Sequence, residues 1–513
     1  MNVRLLSDER HTAAGTTAPG SRAGTRPLAG VGVDNRSLRR ADSRFLLPAS
    51  AGTITVLPGA EPWAEAIGHW GSQVTVGGEP PDLVVAPAVA AAEAARLGAP
   101  MVVLEGTSGR RTLRAGGYRI RSWMALPSLE EPRVLVPVGS PDVARYAMRS
   151  WAACDRAWKR VRNFAAGTIL GHGATAALYR TVTVGVRTQA PPFLMAAARD
   201  LGVPPDAPFL LNVGGGDILS RAAFQVFPNG SRFPAWVLKF SRVRGYDRPF
   251  VEDERGLGLI AGAGLTAAAH APRLLGRFQV DGYNASLETA AVGVPLDHFL
   301  ASPKPRRTKL AVVDEIAAWI LTVAGLTSAR SALLDVERRR LTEEVLPQWG
   351  CSPELVDAVA DVPAVLQHND LGCWNMVVGD GDFQVIDWEK ARAHGFPLWD
   401  LFYFLTDALA LVDGAGDAGW DRYVARLYRG ELASSAILFG WTRRMVSTLG
   451  VPAHAVGPLA ALCWMHHGMS HLSRREVGGR FQANVSLLPR AERVAPLWLA
   501  DPALGTSWHA WRG

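Results

Sequence analysis

The chain has few of the features that mark a secreted, membrane-spanning or nucleic-acid-binding protein. Only four of its 513 residues are cysteine (Cys154, Cys351, Cys373 and Cys463). They lie far apart, so neither a disulfide framework nor a cysteine metal site is expected. The N-terminus lacks the basic start, apolar middle and small-residue cleavage site of a signal peptide. Long uncharged runs are missing too. LAVVDEIAAWILTVAGL carries Asp314 and Glu315, and LWDLFYFLTDALALV carries Asp400 and Asp407. Neither reaches the roughly 20 uncharged residues of a membrane span. A cytoplasmic protein is the expectation. The net charge of +7 is scattered rather than gathered in one arm, so no nucleic-acid partner is expected. One segment stands apart. PDVARYAMRSWAACDRAWKRVRNF reads as a helix with Arg145, Arg149, Arg156, Lys159, Arg160 and Arg162. It is a solvated face, or a peripheral contact with an anionic membrane or a phosphorylated substrate.

What is present argues for a packed, multidomain protein. Hydrophobic residues make up 48% and charged residues 20% of a chain long enough for two or three domains. Residues 1–44 show no apolar periodicity and read as a mobile tail. From 45 to 165, strand-like runs (TITVLPG, QVTVGG, DLVVAP, MVVLEG, RVLVPVG) alternate with helical ones. That texture predicts a small α/β, Rossmann-like domain with a largely parallel sheet. No Gly-x-Gly run follows TITVLPG, so no wrapped cofactor is signalled, and the domain's role stays open. Residues 166–205 read as a connection and a leading helix. An antiparallel meander then runs through 206–290, and 291–513 is mainly helical.

The chemistry concentrates in LQHNDLGCWNMVVGDGDFQVIDWE, residues 366–389. His368, Asp370 and Asn375 have the spacing H-x-D-x-x-x-x-N, and Asp387 follows one short strand later. Any one of these is an ordinary turn residue. Together they supply what phosphoryl transfer needs: a carboxylate to orient the attacking hydroxyl, and oxygen ligands for Mg²⁺. Upstream, Gly214, Gly215 and Gly216 sit between strands, where backbone amides approach phosphates or simply make a hairpin turn. Lys239 lies within the apolar strand AWVLKF and needs an acidic partner if buried. Glu254 is the candidate, with Glu252 competing, and helix phase does not separate them.

This order of parts resembles the protein-kinase-like fold. The wording HNDLGCWN, followed by IDWEKARAHGFPLWDLFYF, resembles the aminoglycoside phosphotransferase family of small-molecule kinases. The resemblance spans about residues 190 to 480. It implies an α+β, bilobal fold, with an antiparallel-sheet N-lobe (206–290) and a mainly helical C-lobe (291–513), preceded by the α/β domain. It implies ATP and Mg²⁺ as cofactors. Asp370 would be the catalytic base, and Asn375 and Asp387 the metal ligands. Lys239 would bind phosphate, and His368 and Asp400 would brace the loop and the lobe. Glu288 to Ala290 would offer backbone groups to a purine, and Gly293 would turn the chain. Asn369 stands where the family has glycine. The segments D-F-G and A-P-E are lacking, which disfavours a protein kinase.

The implied acceptor is a hydroxyl of a small molecule. A polycationic antibiotic would want a carboxylate-rich pocket, whereas WMHHGMSHLSRREVGGR is basic. A sugar or glycoconjugate precursor fits better. Trp441, Trp464, Trp498, Trp508 and Trp511 are core residues or stacking platforms. His466, His467 and His471 read as helix-face or core residues rather than metal ligands. Two alternatives stay open: a non-catalytic kinase-like binding or regulatory protein, and a transferase whose main activity lies in the N-terminal domain.

Overall fold

The computed structural model describes residues 35–63, 81–150, 180–214, 220–416, 419–480 and 490–513, single residues 107, 189, 380 and 502 excepted, with short pieces at 4–5, 66 and 73–74. In chain order the strands of its main sheet are β1 (Arg4–Leu5), β2 (Thr53–Val56), β3 (Gln73–Val74), β4 (Leu83–Pro87), β5 (Met101–Glu105), β6 (Arg119–Pro127) and β7 (Pro132–Pro137). They continue as β8 (Thr181–Val186), β9 (Phe209–Asn212), β10 (Ala222–Val226), β11 (Trp236–Phe240), β12 (Leu274–Val280) and β13 (Tyr283–Thr289).

All of these pair in one continuous sheet, ordered β1-β12-β13-β11-β10-β9-β7-β6-β8-β5-β4-β2-β3. The five strands β12-β13-β11-β10-β9 are antiparallel, as expected for the N-lobe. The strands read as a separate α/β domain extend that sheet through the β7–β9 pair.

Three expectations need correction. The N-terminal sheet is mixed: only β3-β2-β4-β5 are parallel, and from β5 onward every pairing is antiparallel. The stretch 166–205 is more than a connection, because β8 inserts between β5 and β6 with all six residues buried. The unbroken run TVTVGV suits a strand covered on both faces. The tail reading fails for its last ten residues. Asn35–Ala41 is helical and leads into a 3₁₀ turn, Asp42–Leu46, with Asp42, Ser43, Phe45 and Leu46 buried. Phe45 packs against Phe193, Phe240 and Tyr283, with ring centroids 6.3, 4.5 and 5.4 Å away. Three aromatic contacts hold a segment whose own periodicity is too short to read.

That segment also carries a buried charge. Asp42 pairs with Arg242 just beyond β11, at 2.8 Å, and both side chains are fully buried. The Arg242 guanidinium also donates to the carbonyls of Val213 and Ser220, on either side of the glycine turn. The chain before β2 thus supports the clamp on that turn.

The helical lobe follows Gly293 and packs around Trp399–Asp413, of which eleven residues are buried. Arg306–Thr327 is long and apolar enough to cross a membrane by length and composition. Here it buries Val313, Ile316, Ala317, Ile320 and Val323 in this core. The basic helix is described only for Pro141–Ser150, where Arg145 pairs with Asp142 at 2.7 Å. Arg156, Lys159, Arg160 and Arg162 lie outside the described residues.

Removing one member of a buried pair strands the other charge, at a cost of about 3 kcal/mol. Asp42→Ala is therefore expected to lower the stability read from denaturant unfolding by about that amount. An unchanged midpoint would show that the pair is not formed.

Candidate active site

Lys239 points from β11 into a cluster of acids at the lobe junction. Its Nζ lies 2.8 Å from Asp253, 3.0 Å from Glu288 and 3.9 Å from Asp387. Asp253 sits on the helix Arg248–Gly262. That helix lies directly on the turn Trp388–Lys390, because a Cβ on Gly256 would collide with the Trp388 carbonyl. The close approach brings the short aspartate within reach. Glu254, itself exposed, pairs with Arg277 instead, and Glu252 pairs with Arg248 at 2.8 Å. The partner expected at 254 or 252 is therefore Asp253, the residue between them.

A second cation enters the cluster. Arg221, just before β10, bonds Asp253 at 2.6 Å, Glu389 at 3.1 Å, and also Asp387. Burial works against the Lys239 ammonium, but Asp253 and Glu288 outweigh it, so it holds its proton more tightly than a free lysine. Arg221 is likewise held charged against burial, by Asp387, Asp253 and Glu389. The carboxyls divide in response. Burial would raise Asp253, but Lys239 and Arg221 hold it below the usual range. Burial pushes Glu288 up to about 7 despite Lys239. Glu389 is also raised by burial, and the neighbouring Asp387 charge adds to this.

The loop expected to carry catalysis is tied together by its own bonds. Asn375 Nδ2 donates to the Asp370 carbonyl at 2.9 Å, and Ile386 N donates to the Asn375 carbonyl at 2.9 Å. His368 Nε2 meets the Ile386 carbonyl at 3.1 Å. Asp400 accepts the backbone N–H of His368 at 2.6 Å and of Asn369 at 2.9 Å. These bonds join His368, Asn369 and Asp400 to one another and to the strand end at Ile386. Asn369 has φ 65°, a left-handed conformation that asparagine tolerates better than most residues. This explains how it stands in place of glycine. Asp387 is also left-handed, at φ 70°, a sparsely populated state typical of functional turns. Lys390 holds Asp370 at 2.9 Å, and against burial its charge keeps that carboxyl ionised below the usual range.

Asp253, Glu288, Asp387 and Glu389 thus face two cations, Lys239 and Arg221. One Asp253 oxygen is buried without a hydrogen-bond partner. A set of hard oxygen donors short of positive charge fits Mg²⁺, which typically takes one or two protein carboxylates and completes its shell with phosphate and water. Among the described residues no cluster of three or more His, Cys, Asp or Glu offers a metal cage, so such a site would rely on Asn375, Asp387 and ligand oxygens.

Other expectations fare differently. Gly214 makes a left-handed turn at φ 54°, while Gly215 and Gly216 lie outside the described residues. Glu288 contributes its side chain to Lys239, and Ala290 N already donates to the Ala235 carbonyl at 2.9 Å. Trp441, Trp464, Trp498, Trp508 and Trp511 are buried in the core. His466 and His467 are buried, stacking on Trp399 and Tyr403. The His471 side chain lies outside the described residues. Sequence reasoning missed Arg221, Asp253, Glu389 and Lys390. The last two stand in the quoted IDWEK, where charge beside Asp387 was the available signal.

An antiparallel sheet that presents a buried lysine–acid pair to a loop-borne Asp and Asn defines a protein-kinase-like phosphotransferase fold. Residues 290–445 match the phosphotransferase enzyme family (APH). The resemblance in HNDLGCWN and IDWEK holds over that stretch, which contains Asp370, Asn375, Asp387 and Asp400 but not Lys239. No curated protein matches the chain in sequence. Among solved structures, a glucosamine kinase in complex with glucosamine, ADP and inorganic phosphate is 15% identical, with a TM-score of 0.30, covering 58% of this chain and 83% of that one. The aminoglycoside phosphotransferase APH(3'')-Id from Streptomyces rimosus is 14% identical, with a TM-score of 0.30, covering 59% and 97%. A bifunctional kinase-methyltransferase, WbdD, is 13% identical, with a TM-score of 0.27, covering 81% and 87%. Overlap at that level decides nothing about substrate.

The Asp253 assignment has a direct test. Asp253→Ala leaves two buried cations short of a carboxylate and is expected to cost about 3 kcal/mol in denaturant unfolding. Glu254→Ala, on an exposed pair, is expected to stay within about 0.5 kcal/mol. The reverse order would restore Glu254 as the lysine partner.

Proposed function

We propose that the protein transfers the γ-phosphate of ATP, with Mg²⁺, to a hydroxyl of a small molecule, a sugar or glycoconjugate precursor. The observation that carries this reading is the 3.9 Å approach of the Lys239 amine to the Asp387 carboxylate, next to a loop that joins Asp370 to Asn375. Phosphoryl transfer asks a protein mainly for positioning and charge neutralisation, and these residues provide both. Asp370, ionised at neutral pH, orients the acceptor hydroxyl and takes its proton. Asn375 and Asp387 hold the metal. When bound, Mg²⁺ neutralises phosphate charge. Lys239, positioned by Asp253 and Glu288, holds the α/β-phosphates. Arg221 and Lys390 exchange their carboxylate partners for phosphate oxygens as the nucleotide enters. Trp374, 39% exposed in the turn that follows Asp370 in sequence and set edge-on against Tyr403, offers an apolar face to an acceptor ring. The acceptor is neutral or anionic, in keeping with a chain that carries 54 basic against 47 acidic residues.

A screen of hydroxyl metabolites with γ-labelled ATP tests the reading. Asp370→Asn is expected to lower turnover by at least about 10²-fold, with unfolding unchanged because Asp370 contacts one half-exposed lysine. Equal turnover of the two proteins would refute Asp370 as the base. Turnover by neither, with any acceptor, would favour a binding protein.

A further inference from the structure

A second cavity opens far along the sheet from Lys239 and shares no residue with its cluster. It has a volume of about 400 Å³ and is lined by Arg110, Arg114, Arg121, Trp123, Ser140 and Asp206, among others. Arg110 and Arg114 stand on the short helix Arg110–Ala115, Arg121 and Trp123 on β6, and Ser140 just before the helix Pro141–Ser150. The lining thus holds three arginines and a single acid.

These arginines lack acidic partners. Among the described residues none of the three takes part in an ion pair, and the Arg110 guanidinium donates to the Thr181 hydroxyl at 3.3 Å. Burial and the Arg114 charge together weaken the hold of Arg110 on its proton, so nothing nearby compensates its charge. Trp123 is 3% exposed, and its indole N–H is buried with no acceptor. The Arg110 Nε is buried without a partner as well. Two unpaired donors on residues that line the cavity call for acceptor oxygens. The ten-residue helix that begins after Ser140 brings the positive end of its dipole to the same place.

We propose that this cavity binds the phosphate group of a small phosphorylated molecule. Three guanidinium groups against one carboxylate leave a surplus of two positive charges, which matches a phosphate dianion. The planar fork of arginine pairs with two phosphate oxygens at once, and the Trp123 N–H supplies a further neutral donor. The inference does not depend on the kinase reading, since it uses none of the same residues.

Calorimetric titration of the full chain with inorganic pyrophosphate, without divalent metal and at fixed ionic strength, tests it. Wild type is expected to bind. Arg114→Ala with Arg121→Ala, both exposed and so compatible with folding, is expected to bind at least tenfold more weakly, while the paired lysine substitutions recover part of the loss. No binding by wild type would overturn the proposal, as would undiminished binding by the alanine double variant. Malonate binding as tightly as pyrophosphate would overturn the phosphate assignment.

Discussion

Two buried cations, Lys239 and Arg221, meet four carboxyl groups drawn from three separate parts of the chain. Asp253 comes from a helix, Glu288 from β13, and Asp387 and Glu389 from the turn after the short strand Phe383–Val385. Buried charge is tolerable only when it is paired, so each of these elements is constrained by the others. The cluster therefore fixes how the sheet lobe sits against the helical lobe. Because carboxyls outnumber cations, the cluster favours further positive charge, as the proposed divalent ion would supply.

The surroundings reinforce that geometry from both sides. Gly256 lets the helix settle onto the Trp388–Lys390 turn, which explains why an aspartate suffices where a longer side chain was expected. Arg242 grips the carbonyls at both shoulders of the glycine turn, with Asp42 neutralising it from a segment distant in sequence. Asp400 fixes His368 and Asn369 through two backbone N–H bonds, so the loop that carries Asp370 is anchored to the central helix of its lobe. Continuity of the sheet from β12 to β3 makes the N-terminal strands an extension of the N-lobe rather than an appended module.

Much of the candidate site was legible in the sequence. His368, Asp370, Asn375 and Asp387 stand close together in sequence on short elements, so their spacing encodes their geometry. Lys239 was legible because a charge inside an apolar strand demands a partner. The identity of that partner was not, because it depends on how closely two helical turns approach, which Gly256 decides. Arg221 was hidden for a related reason: nothing local distinguishes an arginine beside a glycine turn from a solvated one. The antiparallel pairing of β8 and the burial of Phe45 arise from contacts between distant segments. Short runs of a few apolar residues cannot specify such contacts.

The central claim is that Asp387 and its neighbours converge on one metal–nucleotide site. Electron paramagnetic resonance of Mn²⁺, titrated with ATP onto the native chain and onto Asp387→Asn, tests it most directly. The native protein should immobilise the Mn²⁺–ATP complex, and the variant should hold it at least about tenfold more weakly. Equal retention by the two proteins would contradict the account.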